Sequence, residues 1–456
     1  MELNNVQQCM VQTTETISLY RVHASVTEFD KRETFLLSVE KRKKRETFLE
    51  ENPCPNPNPI PNSAETATMA SLPWDIIVNI LSRLSVKDLL RYRCVSKPLC
   101  SLIDGPDFIK MHLNHSMETN SHLSLIRADL ELRSVDLDNL DSAVLLNPPV
   151  NEGLGKDIVG HCHGLLLVTN RDGDTAIWNP ATRKHRKVPI SDLKENPGKF
   201  EIGVVGFGYD PVNDDYKFLR MIHYYGRDIS SFHSEVKVYS LKTNTWKRVA
   251  DFPYNVMHCA NGVLVGNSWH WMLGIQYQYS SAFEIVVAFD LVAESYRKIP
   301  LPDKKKNKGQ SYLTTMRELG EWLCLVTHHK VGEMVDHVDI FVMKEYGVKE
   351  SWTKLFSVAP SDVAGSFEFA MPLAYLRSVH QVLFDLSGDK LMVYDLKRKR
   401  VVSVKEISGP QCDLSLVYVR SLLGVGGSDE NNSEKKAGEN ADKSKKQKQQ
   451  PSRKKK

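Results

Sequence analysis

Paired cysteines are missing from this chain. Its eight cysteines stand at positions 9, 54, 94, 100, 162, 259, 324 and 412, with no Cys-x-x-Cys anywhere. Such scatter excludes a RING-type zinc site, which needs closely spaced soft ligands, and reads as reduced, mostly buried thiols. Long apolar runs are missing too. No stretch approaches the ~20 consecutive apolar residues of a membrane helix, and the N-terminus lacks the basic-then-apolar pattern of a secretory leader. We therefore expect an intracellular protein with no membrane span. There is no Gly-x-Gly-x-x-Gly, no phosphate-binding Gly-x-x-x-x-Gly-Lys and no Gly-x-Ser-x-Gly elbow, so nucleotide and hydrolase chemistry has no motif to stand on. Charge of one sign is also scarce. The net charge is +4, and the segment from Asp429 to Lys456 holds ten Lys or Arg against five acids, which leaves the rest near −1. Nucleic-acid binding by the folded part has no electrostatic support.

What is present is an ordinary globular balance, 41% apolar and 25% charged over 456 residues, enough for two or three domains. Residues 72 to 113 organise the rest. Ile76, Ile80 and Leu84 recur at helical spacing, with Pro73 in a first turn and Ile77 and Leu81 widening the stripe. Ser85 with Asp88 signals the cap of a second helix, and Ser96 caps a third in which Pro98 falls in the first turn. A fourth short piece runs from Phe108 to Leu113. About 40 residues is near the limit below which a domain needs outside help, so this unit should bury its surplus apolar surface on something else.

Leu72-Pro73-x-x-Ile76, Ile80-Leu81-x-x-Leu84, Asp88-Leu89-Leu90 and Cys94-Val95-Ser96-Lys97 resemble the F-box in residue type and order. The resemblance implies docking to the Skp-type adaptor of a cullin ubiquitin ligase. It assigns the contact to Leu72, Pro73, Ile76, Ile80, Leu81, Leu84, Val86, Leu89, Leu90, Cys94, Val95 and Lys97. One departure stands at Leu99, where many F-boxes carry Trp.

Before this unit, residues 1–70 form a Pro/Asn-rich extension expected to be disordered. Within it Lys31-Arg-Glu-Thr-Phe-Leu36 recurs as Lys44-Arg-Glu-Thr-Phe-Leu49, and Met69 is an expected alternative start. After it, residues 120–424 change character. Five β-rich runs each end in a large aromatic residue before a turn: Trp178, Tyr239, Phe289, Phe341 and Tyr394, at intervals of 61, 50, 52 and 53 residues. Trp246, Tyr296 and Trp352 follow beyond three of the turns. A period near 50 marks a kelch-like propeller of four-stranded blades. With a unit spanning Leu123 to Leu137, six blades are expected, and Leu414–Val419 should return to close the ring; a two-sheet sandwich is the alternative. Inner strands are expected at Leu165–Val168, Gly262–Val265 with Trp269–Trp271, Trp322–Val326 and Val382–Phe384.

Gly160-His-Cys-His-Gly-Leu-Leu166, Trp178-Asn-Pro-x-Thr-Arg183, Phe207-Gly-Tyr-Asp210 and Val236-Lys-Val-Tyr-Ser240 resemble the plant F-box-associated domain. Val135-Asp-Leu-Asp138 and Ser351-Trp-Thr-Lys354 are similar to the subgroup that limits accumulation of plant immune receptors. The fold class that follows is a small all-α F-box at 71–114, an all-β propeller and a disordered Lys-rich tail at 425–456. The function implied is substrate recognition in a Skp-cullin-F-box ligase, in the cytoplasm and nucleus, with a protein target such as an immune receptor and with no catalysis, cofactor or metal. Two other readings are a kelch-type scaffold outside ubiquitin transfer and a sugar-binding or catalytic propeller. Tyr224, Tyr225, Arg227, Tyr277 and Tyr279 are candidate target contacts, since aromatics and Arg supply interface hot spots. His161-Cys162-His163, His258-Cys259 and His328-His329 are read as structural, because the sequence shows no partner ligands at metal spacing.

Overall fold

The computed structural model describes residues 73–426 except 129–130, 138, 151–155, 171–172, 192–200, 226–231, 256–261, 278–279, 304–310, 333, 364, 377–379, 408–411 and 413. The N-terminal extension, Leu72, His258-Cys259 and the Lys-rich tail from residue 427 on lie outside the described residues, whereas Val425, expected in that tail, is buried in the core.

Among the described residues, four helices come first: α1 (Trp74–Leu81), α2 (Val86–Tyr92), α3 (Lys97–Ile103) and α4 (Pro106–Glu118). The capping signals hold. Ser85 Oγ accepts from the Asp88 amide at 3.2 Å, and Ser96 Oγ accepts from Leu99 at 3.4 Å. Pro73 is the cap residue of α1 rather than part of its first turn, and α4 runs 13 residues, well beyond the expected 108–113. Gly105 and Pro106 start it earlier than an apolar pattern alone could show.

Six four-stranded antiparallel sheets follow among the described residues. Blade 1 joins β1 (Leu123–Ala128), β2 (Leu132–Asp136) and β3 (Asn139–Leu146) to the last strand, β24. Blade 2 is β4 (Lys156–Cys162), β5 (Leu165–Asn170), β6 (Thr175–Asn179) and β7 (Lys184–Lys187). Blade 3 is β8 (Glu201–Asp210), β9 (Asp215–Tyr225), β10 (Phe232–Ser240) and β11 (Thr245–Arg248). Blade 4 is β12 (Val263–Val265), β13 (Ser268–Tyr277), β14 (Ser280–Asp290) and β15 (Ser295–Ile299). Blade 5 is β16 (Ser311–Leu319), β17 (Trp322–Val331), β18 (Met334–Met343) and β19 (Trp352–Val358). Blade 6 is β20 (Ala370–Tyr375), β21 (Gln381–Leu386), β22 (Lys390–Asp395) and β23 (Arg400–Glu406). Strand β24 (Leu414–Val419) pairs with β1 from Leu123↔Val419 to Ala128↔Leu414, so the last strand completes the first blade and closes the ring as expected.

The core lies between blades. Leu165, Leu167 and Ile177 of blade 2 meet Phe207, Phe218 and Tyr239 of blade 3, and Trp269, Trp271 and Phe289 of blade 4 meet Leu219, Met221 and Val238 of blade 3. The five recurring aromatics all lie on third strands. Tyr239 faces Trp246 and Phe289 faces Tyr296 directly across the third and fourth strands, whereas Trp352 faces Met343, two residues beyond Phe341. Each outer aromatic also bolts its blade to the one before. Trp246 Nε1 donates to Pro189 O at 2.8 Å, Tyr296 Oη to Ala250 O at 3.0 Å and Trp352 Nε1 to Pro300 O at 2.8 Å.

Of the runs expected to be inner strands, only Val263–Val265 is innermost. The runs at 165–168, 269–271, 322–326 and 382–384 are second strands. A second strand is covered on both faces by neighbouring blades and reads as a continuous apolar run. The innermost strand borders the central channel and is mixed, as in Tyr312-Leu-Thr-Thr-Met-Arg-Glu-Leu319.

Candidate adaptor-docking site

The helical unit divides its apolar residues between two surfaces. Leu81, Val86, Leu89, Ile103 and Phe108 are buried together with Leu422, which follows β24, and Ala181 of the β6–β7 turn packs beside them. This seats the helices on one end of the ring. His112 adds a polar tie: its Nε2–H donates to the carbonyl of Leu84 at 2.9 Å, and its ring stacks on His122 with centroids 5.4 Å apart. Burial lowers the His112 pKa, which favours the neutral ring as that donor.

The other surface is open. Ile76 and Ile80, one helical turn apart on α1, are 45% and 48% exposed, and Val95 before α3 is 69% exposed. Pro73, Cys94 and Lys97 are exposed as well, and Leu84 and Leu90 are half-buried. Of the expected contacts, Leu81, Val86 and Leu89 must therefore be reassigned: they hold the unit together and are withdrawn from solvent. Trp74 and Tyr92, which the residue pattern did not single out, are exposed beside the others in sequence. Their signal was available, since exposed aromatics are the side chains most enriched at interfaces. Such a surface performs no bond-making; it offers apolar area whose burial is worth roughly 25 cal/mol per Å².

The opposite end of the ring carries the turns between second and third strands, because strand direction alternates and the β6–β7 turn faces the helices. Both aromatic stretches expected to touch a target end there. Tyr224 and Tyr225, however, are buried. Tyr224 stacks on His233 at 4.7 Å within the β9–β10 hairpin, and Tyr225 Oη donates to Asn255 Oδ1 at 2.8 Å in the segment after β11, so both are spent on internal packing instead of presenting a surface. Tyr277 is the last residue of β13; Arg227 and Tyr279 lie outside the described residues. His163 Nδ1 pairs with Tyr216 Oη at 3.1 Å, and burial pushes the Cys162 thiol up. His328 is buried and accepts from the Ala370 amide at 3.2 Å.

Comparison with known proteins agrees with this geometry. Residues 69–111 match the F-box domain, and residues 114–425 match the F-box associated beta propeller domain. The F-box protein CPR1 of Arabidopsis thaliana is 36% identical over 373 residues, covering 78% of this chain and 89% of that protein. F-box protein At4g22390 of the same plant is 31% identical, covering 78% and 90%. The F-box/kelch-repeat protein At3g23880, also of Arabidopsis thaliana, is 28% identical, covering 77% and 95%. This chain belongs to the plant F-box proteins that carry an F-box-associated β-propeller.

Proposed function

We propose that the protein is the substrate-recognition subunit of a Skp-cullin-F-box ubiquitin ligase. The observation that carries the reading is the open apolar surface of Ile76, Ile80 and Val95, with Trp74 and Tyr92 exposed as well, on helices whose buried residues Leu81, Val86, Leu89, Ile103 and Phe108 are already closed together with Leu422. A Skp-type adaptor covers that surface, and through it a cullin brings the charged conjugating enzyme. The propeller holds the protein target at the other end. Tethering raises the effective concentration of a target lysine to the order of millimolar, so the subunit accelerates transfer without doing chemistry. The family is one of non-catalytic adaptors.

The target class we favour is a plant immune receptor, met in the cytoplasm and nucleus. What supports it is the similarity of Val135-Asp-Leu-Asp138 and Ser351-Trp-Thr-Lys354 to the subgroup that limits such receptors. Co-expression in plant cells tests it. Receptor abundance should fall several-fold with the wild type, recover under proteasome inhibition, and stay high with an Ile76→Asp/Ile80→Asp variant. Receptor levels indifferent to all three conditions contradict the assignment.

A further inference from the structure

His329 of β17 and His337 of β18 face each other across the hairpin of blade 5. Asp339 lies two residues beyond His337, on the same face of the sheet. Their imidazoles stack with centroids 4.2 Å apart. His329 Nε2 is 3.4 Å from Asp339 Oδ2, and His337 Nε2 is 3.8 Å from Asp339 Oδ1. All three donor groups lie within 4.8 Å of one another. Those gaps are longer than the 2.7–3.2 Å of an N–H···O hydrogen bond. They are close to the separation of about 3.3 Å between two ligands that share a tetrahedral ion at bonds of ~2.0–2.1 Å.

The surroundings prepare the donors. His337 Nδ1–H donates to Asp336 Oδ2 at 2.7 Å, which fixes the tautomer and leaves the Nε2 lone pair free; carboxylates play this part behind metal-bound histidines. Asp339 Oδ1 takes the Lys354 ammonium at 2.6 Å and the Ser357 hydroxyl at 2.5 Å, so Oδ2 remains for an ion. The imidazoles are partly exposed, so solvent reaches them. We propose that His329 Nε2, His337 Nε2 and Asp339 Oδ2 bind a divalent transition-metal ion of the zinc class, with a fourth position open to water.

Two imidazoles and one carboxylate suit Zn²⁺, Co²⁺, Ni²⁺ or Cu²⁺ and not the oxygen-seeking Mg²⁺ or Ca²⁺. Closing on the ion tilts the two rings out of their stack. Lys354 is the opposing charge, and its half-exposed side chain swings into solvent to admit the ion. The site lies beside the β17–β18 turn, on the ring's end away from the helices, near the exposed Val331 and Met334. It stands independently of the ubiquitin-ligase reading.

Titration of the chelator-stripped full chain with Co²⁺, read by visible absorption and by competition with Zn²⁺, tests the site. One equivalent is expected that Zn²⁺ displaces and Mg²⁺ does not. His337→Ala should lose it with an unchanged melting temperature, Asp336→Asn should weaken it about 10-fold, and Lys354→Met should tighten it. Absence of a bound equivalent, its retention in His337→Ala, displacement by Mg²⁺, or an affinity indifferent to Lys354→Met overturns the assignment.

Discussion

Leu89 and Ile80 belong to the same helical unit and to the same apolar pattern, yet they serve opposite purposes. Leu89 is fully buried and Ile80 is 48% exposed. Replacing Leu89 with Ala should cost about 2–5 kcal/mol in chemical denaturation, through lost transfer energy and the cavity left behind. Ile80→Asp should stay within about 0.5 kcal/mol of wild type by the same measurement. A second residue-level expectation concerns protons. His223, His270 and His328 are buried and pushed down to about 4, mainly by loss of hydration. His270 illustrates why the neutral ring is preferred: Nδ1–H points at Val263 O at 3.3 Å, while Nε2 accepts from Tyr346 Oη at 2.6 Å. In the unfolded chain these rings take up protons near pH 6.5, before the folded protein does. Their contribution is complete above about pH 6.5 and is lost as pH falls toward 4, on the order of 1–3 kcal/mol for each ring. Denaturation midpoints measured from pH 7.5 to 4.5 should decline through that window, and His270→Gln should flatten the slope.

At the scale of elements, the outer-strand aromatics join consecutive blades by one hydrogen bond each. Trp352→Phe keeps most of the ring's packing and removes the donor to Pro300 O, leaving a partly buried carbonyl unpaired. A loss of about 1 kcal/mol is expected in denaturant unfolding. The period of these aromatics was legible because each recurs on the same strand of a repeated unit. The strand order within a blade was less so, since a doubly covered second strand and an innermost strand are told apart by their neighbours rather than by their own residues. Gly164 shows the same limit. Its φ of +86° and the approach of Val419 O, 2.5 Å from where a Cβ would sit, explain the residue only once the closing strand is in place. The His329, His337 and Asp339 cluster escaped sequence reading for a related reason. Those residues meet through cross-strand register, and a bulge between His329 and Lys330 sets that register.

For the whole molecule, the ring and the helices form one argument. Six blades and their closure followed from period and count, because no blade can bury both faces alone and a free edge is a liability. Which apolar residues of the helical unit face outward did not follow, because that depends on Leu422 and Ala181 arriving from distant parts of the chain. Target-facing residues were misread at Tyr224 and Tyr225, where aromatics that resemble hot spots in sequence pack on a hairpin neighbour and on the segment after β11. The central claim is that the exposed face of α1, with Val95, is reserved for another polypeptide. Calorimetric titration of a purified Skp-type adaptor into the full chain tests it most directly. The account predicts saturable one-to-one binding that weakens at least 100-fold, about 2.7 kcal/mol, in Ile76→Asp/Ile80→Asp while the melting temperature is unchanged; equal affinity of the wild type and that variant contradicts it.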